Sequence, residues 1–409
     1  MQEHLFGEEY YKWIGEHEEE DPDRLRLSYH NDGREWIPYA ITHIASLRRA
    51  GKKFQAVTGE CMMPSVIASD IAVQQSTSAD VALLHADLLA RHISQGSNVL
   101  DMTCGLGTDT RALSRYFNVT SCEINALHAA MARENFRGNA NVGIVEGDSV
   151  EFLRSVDSGR FQAIFIDPAR RDNRGRRVYG ISDCTPDIIE IYRLLMSKQA
   201  IVMCKLSPMI DIRQTLRDLP DASEVHIIGD GRECKELVFV VDPDNGKMRV
   251  EDVPIYLWNG TRECVLTYSI GEEASALPLD ADRPSAGGML WIPSAVAMKG
   301  GCFNLLSSKY RVNPISSNTH LYVSASKDIS DFPGHCEQIL EVIPWKSSEL
   351  KKIKKRKLKA CTRVRNFGMT AQQLSDKLGI VPGDDDIMLT GIMLSDGSRM
   401  LVMSTRQEC

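Results

Sequence analysis

Between residues 81 and 242, short apolar runs alternate with segments whose apolar positions recur every three or four residues. That alternation predicts a parallel sheet with helices on both faces. Strands are expected at 99–101, 119–124, 142–149, 161–166 and 200–204, with helices at 109–117, 126–136, 186–196 and 210–216. Two further β runs, 224–228 and 236–241, are separated only by residues 229–235. That link is too short for a helical crossover, so the two must pair antiparallel. The expected fold class is α/β, with a seven-stranded sheet ending in a hairpin. Residues 1–78 show helical periodicity and predict an all-helical cap, with Ile41, Ile44, Leu47 and Arg48 on one helix face and a turn at Asp32-Gly33. Its acidic tract, 16–23, reads as solvated surface. From about residue 250 the chain changes to short β-like runs rich in proline, glycine and lysine.

Composition narrows the class. A chain of 409 residues is too long for one ordinary core, so two or three domains are expected. Its 43% hydrophobic and 25% charged residues are those of a globular protein. No apolar run reaches the roughly 20 residues of a membrane span, and the polar opening Met1-Gln2-Glu3-His4 does not read as a signal peptide. The eleven cysteines form no CxxC pair. Cys104, Cys122 and Cys204 fall within or at the ends of apolar strands, where thiols pack as small hydrophobes. A reducing, cytoplasmic location without a membrane partner is expected. His43, His85, His92, His128 and His226 show no metal-ligand spacing and read as ordinary residues, so no metal is expected. The net charge of −7 argues against uniform attraction to nucleic acid, although the charge is unevenly placed.

The segment Val99-Leu100-Asp101-Met102-Thr103-Cys104-Gly105-Leu106-Gly107-Thr108 reads as a strand, a glycine turn and a helix start. In a parallel sheet such a turn faces the crevice where nucleotide-like cofactors sit. Glycines let a ligand approach the backbone where a Cβ would collide. Asp101, Met102, Thr103, Cys104, Gly105 and Gly107 are therefore the candidate cofactor loop. Glu123, followed by Ile124, lies where doubly wound folds place a carboxylate on ribose hydroxyls. Asp148, followed by Ser149, closes the third strand, where an adenine amine is read, and Asp167 closes the fourth. A dinucleotide calls for G-x-G-x-x-G, but Thr110 occupies the third glycine position. S-adenosylmethionine has no phosphate and needs only the first two glycines.

The set Asp101-x-x-x-Gly105-x-Gly107, Glu123, Gly147-Asp148 and Asp167-Pro168 resembles the class I S-adenosylmethionine-dependent methyltransferases. More narrowly, four segments resemble a bacterial methyltransferase family with a ferredoxin-like insert and a C-terminal THUMP-like domain. They are Gln75-Ser76-Thr77-Ser78, Ile166-Asp167-Pro168-Ala169-Arg170-Arg171-Asp172, Ser182-Asp183-Cys184-x-Pro186-Asp187 and Lys205-Leu206-Ser207-Pro208-Met209. The resemblance runs from about residue 55 to the end. It implies a Rossmann-like methyltransferase sheet at 79–250 after the helical cap at 1–78, the insert at 251–330 and the THUMP-like domain at 331–409. It also implies S-adenosyl-L-methionine as cofactor and methyl transfer as the activity. Amino-group methyltransferases carry D/N-P-P-Y/F/W after the fourth strand. By that likeness the Asp167 side chain and the Pro168 carbonyl hold both hydrogens of an acceptor amine and aim its lone pair. Here Ala169 replaces the second proline and Arg170 the aromatic residue, leaving base stacking to the Arg170 guanidinium or to Tyr179. Cysteine nucleophiles in this class follow the proline, where Ala169 stands, so Cys184 is not expected to act as one.

Arg170, Arg171, Arg174, Arg176 and Arg177 crowd one loop beside the expected crevice. Arginine is the usual bidentate phosphate ligand, although Asp172, Asp183 and Asp187 are alternative partners. Lys205 either walls the substrate pocket or serves the structure. The tract 346–365 sets Lys352, Lys355, Arg356, Arg363 and further cations against Glu349 alone. It opens the THUMP-like region, and THUMP domains generally bind structured RNA. The expected protein is a cytoplasmic methyltransferase acting on a base nitrogen of tRNA or rRNA, with the arginine loop and the basic tract holding phosphates. The alternatives are a small-molecule or protein methyltransferase, and a non-catalytic module that binds the cofactor or RNA. Oligomeric state is not legible in the sequence.

Overall fold

The computed structural model describes residues 6–67, 69–170, 181–260, 263–383 and 386–406. They group into two units, Met1–Ser223 with Val238–Met248, and Glu224–Leu237 with Arg249–Cys409.

The first unit opens with helices α1 (Glu8–His17), α2 (Pro22–Ser28), α3 (Ile37–Phe54), α4 (Asp70–Gln75) and α5 (Ala79–Leu89). Tyr10, Trp13, Leu25, Trp36, Ile41 and Ile44 form the core of this cap, with Met131 joining from the sheet domain. Ile41 and Ile44 are buried as expected, whereas Leu47 and Arg48 lie exposed. The buried stripe of α3 runs instead through His43, Ala45 and Ser46. Asp21 caps α2 by accepting from the Asp23 and Arg24 amides, which gives one acid of the solvated tract a local role.

The sheet strands of this unit are β1 (Asn98–Asp101), β2 (Asn118–Glu123), β3 (Val142–Glu146), β4 (Ala163–Ile166) and β5 (Ile201–Leu206). Strands β6 (Ala222–Gly229) and β7 (Cys234–Val241) are divided between the units. Within the first unit the order is β7-β5-β4-β1-β2-β3, and β1 pairs parallel with β2 on one side and β4 on the other. Strand order therefore reverses at β1, where α/β sheets open a ligand crevice. All four residues of β4 and the last three of β1 are buried, as both-faces-covered strands require, whereas β3 is only partly buried at the sheet edge. The crossover helices are α6 (Thr108–Leu113), α7 (Ala126–Asn135), α8 (Ser149–Ser155), α9 (Ile188–Ser197) and α10 (Ile212–Asp218). Asn125, Asp148, Asp187 and Asp211 cap α7 to α10 through their side chains.

In the second unit β6 lies between β7 and β8 (Pro254–Asn259), and β8 pairs parallel with β6 and antiparallel with β9 (Cys264–Ser269). Seven strands are expected from the sequence, and β8 and β9 bring this sheet to nine. Residues 254–269 thus belong to a strand pair beside β6 rather than to the insert expected from residue 251. A second sheet holds β10 (Met289–Pro293), β11 (Asn313–Pro314), β12 (Tyr322–Ser324), β13 (Gly334–Pro344), β14 (Cys361–Arg365), β15 (Met388–Met393) and β16 (Arg399–Arg406). Its order is β11-β12-β10-β13-β16-β15-β14, so it carries strands from both sides of residue 330. Side chains alternate across it: Leu401 packs with Ile353, Phe367 and Leu374, and its neighbour Val402 with Leu290, Ile292 and Ile339. Among the described residues no helix is long and apolar enough to cross a membrane.

Candidate functional site

The glycine turn after β1 is built around Asp101. This buried carboxylate accepts from the Thr103 amide at 2.9 Å, the Thr110 hydroxyl at 2.5 Å and the Ser121 hydroxyl at 2.8 Å. Burial pushes Asp101 up to about 6, against three hydrogen bonds that favour its charged form. It therefore fastens the loop to α6 and β2 from beneath and does not line the crevice with its carboxylate. Met102 and Cys104 are also buried, and burial lifts the Cys104 and Cys122 thiols to about 12, as inert packing groups.

The two glycines do different work. Gly105 has φ +55°, and a Cβ there would meet nothing within 4 Å, so this turn faces open space. Gly107 has φ +80°, and its Cβ would lie 2.6 Å from the Phe136 ring, which also carries the Arg111 guanidinium 5.0 Å from its centroid. The second glycine makes room for an aromatic side chain. Gly107→Ala should destabilise the protein by at least about 2 kcal/mol, combining a left-handed backbone with overpacking. Chemical denaturation measures this, and an unchanged midpoint would remove the packing role.

The other expected cofactor residues gather at the same strand ends. The Glu123 carbonyl accepts from the Gly147 amide at 2.9 Å and the Cys122 carbonyl from the Cys104 amide at 2.9 Å, tying the ends of β1, β2 and β3 together. Glu123 is half-buried and Ile124 exposed, Asp148 is exposed, and Ser149 is buried. Asp148 spends its Oδ1 on the α8 cap, at 2.7 Å from the Val150 amide. An open glycine turn flanked by the half-buried Glu123, which accepts from the Asn125 amide at 2.9 Å, and the exposed Asp148 suits a phosphate-free adenosine cofactor, because the carboxylates offer hydroxyl and amine acceptors.

Asp167 joins this loop directly. Its amide donates to the Thr103 hydroxyl at 2.8 Å, and the Met102 amide donates to the Phe165 carbonyl at 2.9 Å. Lys205, on β5, donates to the Asp167 carboxylate at 2.7 Å and to the Thr77 hydroxyl at 2.9 Å. Thr77 in turn donates to Asp109 at 2.5 Å, and Asp109 pairs with His85 at 2.7 Å. Burial works to raise Asp109, yet the charges of His85 and Lys205 and the bonds from His85 and Thr77 bring it down to about 2. Pro168 is buried. Thr77 stands in the quoted Gln75–Ser78 segment without an assigned role, whereas nothing local marks His85 or Asp109. Their partners lie 24 and 32 residues away along the chain.

The expected phosphate ligands fare unequally. Arg171, Arg174, Arg176, Arg177 and Tyr179 lie outside the described residues, as does the Arg170 side chain. The backbone of Arg170 pairs with Cys184 in a two-strand ladder. Arg363 departs from expectation. Its guanidinium grips Glu337 at 3.0 and 2.9 Å, donates to Thr390 at 2.9 Å and is 16% exposed, so it is an internal partner rather than a phosphate ligand. Arg356 forks onto Glu341 at 2.6 and 3.0 Å, and Lys352 pairs with Glu349 at 2.9 Å. Both remain exposed, as do Lys351, Lys354, Lys355, Lys357 and Lys359 on and after helix α11 (Ser347–Arg356).

A family model described as a ferredoxin-like domain matches residues 290–333. No curated protein matches the chain significantly. A candidate methyltransferase from Porphyromonas gingivalis W83 superposes with a TM-score of 0.83 at 28% identity, covering 98% of both chains. The two chains share one fold from end to end, a mixed α/β architecture with a ferredoxin-like element towards the C-terminus. A candidate class I S-adenosylmethionine-dependent methyltransferase from Listeria monocytogenes matches at 9% identity and TM-score 0.35, covering 46% of this chain and 67% of that one. A candidate methyltransferase from Streptococcus mutans in complex with SAH matches at 14% and 0.29, covering 39% and 94%. At those TM-scores nothing about the chemistry rests on the last two.

Proposed function

We propose that the protein is an S-adenosylmethionine-dependent methyltransferase acting on a base nitrogen of structured RNA. The observation that carries this reading is the bond from the Asp167 amide to the Thr103 hydroxyl, which joins the cofactor loop to the turn that would hold an acceptor. The whole-length likeness to the Porphyromonas protein supports methyl transfer as the class. Gly105 would admit the methionine end of the cofactor, Glu123 the ribose hydroxyls and Asp148 the adenine edge. Held there, S-adenosylmethionine would supply an already activated methyl group. The chain's own task is alignment. Asp167 and the Pro168 carbonyl hold the amine hydrogens, and solvent at the open turn takes the released proton.

Calorimetry with S-adenosylhomocysteine and with NAD tests the first half of this reading. Uptake of the dinucleotide alone would overturn it. Tritiated methyl donor with RNA from a strain lacking the gene tests the acceptor. The exposed lysines around α11 support RNA as partner. Replacing Lys354, Lys355 and Lys357 by Ala should lower the slope of log affinity against log salt by about 2 in a filter-binding titration. An unchanged slope would leave the tract as solvated surface.

A further inference from the structure

Three segments far apart in the chain meet through Lys205: it lies 128 residues from Thr77 and 38 from Asp167. Side-chain exposure is 36% at Asp167, 11% at Lys205, 13% at Asp109 and 0% at His85. Lys205 is the one charged residue in the otherwise apolar strand β5. A buried ion pair loses solvation worth several kcal/mol, and apolar side chains of similar size would often serve stability equally well. Asp167 accepts from Lys205 directly, and Asp109 is reached from it through Thr77.

We infer that Lys205, itself fixed by Thr77, is a positioning residue that sets the orientation and charge of the Asp167 carboxylate at the acceptor site. Thr77 can fix Lys205 because its hydroxyl proton is committed to Asp109, leaving the oxygen lone pairs for the ammonium. Asp109 pairs with His85, whose buried imidazole lies 5.6 Å from the Phe165 ring. The catalytic meaning of this arrangement rests on the assignment of Asp167 as the amine holder. The orientation of Asp167 does not.

The test uses the full chain with Lys205→Met, Thr77→Val and Thr77→Ser, and reads two quantities. Carboxylate carbon NMR, assigned by comparison with Asp167→Asn, follows the titration of Asp167. Methyl transfer to bulk RNA from a strain lacking the gene gives kcat and KM. Lys205→Met should move the Asp167 midpoint up by at least about one unit, and lower kcat about 100-fold with KM within about threefold. Thr77→Val, nearly the same shape as the threonine it replaces, should act in the same direction about tenfold, and Thr77→Ser should restore activity. An unmoved Asp167 midpoint in Lys205→Met overturns the inference, as does a full kcat in that variant. Should Lys205→Met not fold, the Thr77 pair decides: equal behaviour of Val and Ser overturns it. A moved midpoint in Lys205→Met, where the wild type itself does not methylate RNA, supports the positioning and refutes the RNA reading alone.

Discussion

Asp167→Ala should abolish methyl transfer, by about 10³-fold or more, while S-adenosylhomocysteine binds within about threefold of wild type. The substitution removes the side-chain acceptor for one amine hydrogen, and the Pro168 carbonyl alone does not fix the lone pair. The Asp167 main-chain bond to Thr103 survives, so the cofactor loop keeps its anchor. Radiolabelled methyl incorporation gives the rate and calorimetry the affinity. Loss of cofactor binding with the rate would move Asp167 into the cofactor site and sink its role as acceptor holder.

Arg363→Met should cost the second unit about 3–5 kcal/mol, because it strands the Glu337 carboxylate in the interior. Glu337 is 4% exposed and accepts from both guanidinium nitrogens of Arg363 and, at 2.6 Å, from Ser404. Burial alone would raise Glu337, but the His335 bond, the Arg363 bonds and charge and the Ser404 bond bring it from 4.5 down to about 2. A carboxyl depressed in the fold stabilises it above its unfolded value. That contribution, about 3 kcal/mol, is present above pH 4.5 and is lost as pH falls through 2. Urea unfolding followed at Trp291 and Trp345 should therefore show falling stability across that window, and Glu337→Gln should flatten the slope. Pairing Glu337→Gln with Arg363→Met should recover part of the single-variant loss. If Arg363→Met instead left stability intact and weakened RNA binding, the phosphate role would stand.

The sheet was readable because β1, β4 and β5 are covered on both faces and so announce themselves as unbroken apolar runs. Element ends were less so. Helix α6 stops at Leu113 rather than 117, because Tyr116 and Phe117 fold back on its last turn through their amides to the Leu113 carbonyl. Strands β8 and β9 went unseen, since the proline- and glycine-rich composition after residue 250 masks a pair whose pattern depends on β6 as neighbour. The glycine turn after β1 and the place of Asp167 just beyond β4 could be read from the order of apolar runs. Asp101 could be located but not understood: its inward turn depends on Thr110 and Ser121, which only the folded loop brings to it. Arg363 looked like part of a cationic run, yet a β-strand sends alternate side chains to opposite faces, and its face holds Glu337.

The hydroxyl of Thr103 has one more implication. It and the Met102 amide tie the loop after β1 to β4 and the turn that follows, so neither can drift without dragging its neighbour. On the proposed reading, separation between the reacting centres is inherited from main-chain stiffness at two strand tips, and remodelling of outer loops for a different guest would leave that gap undisturbed.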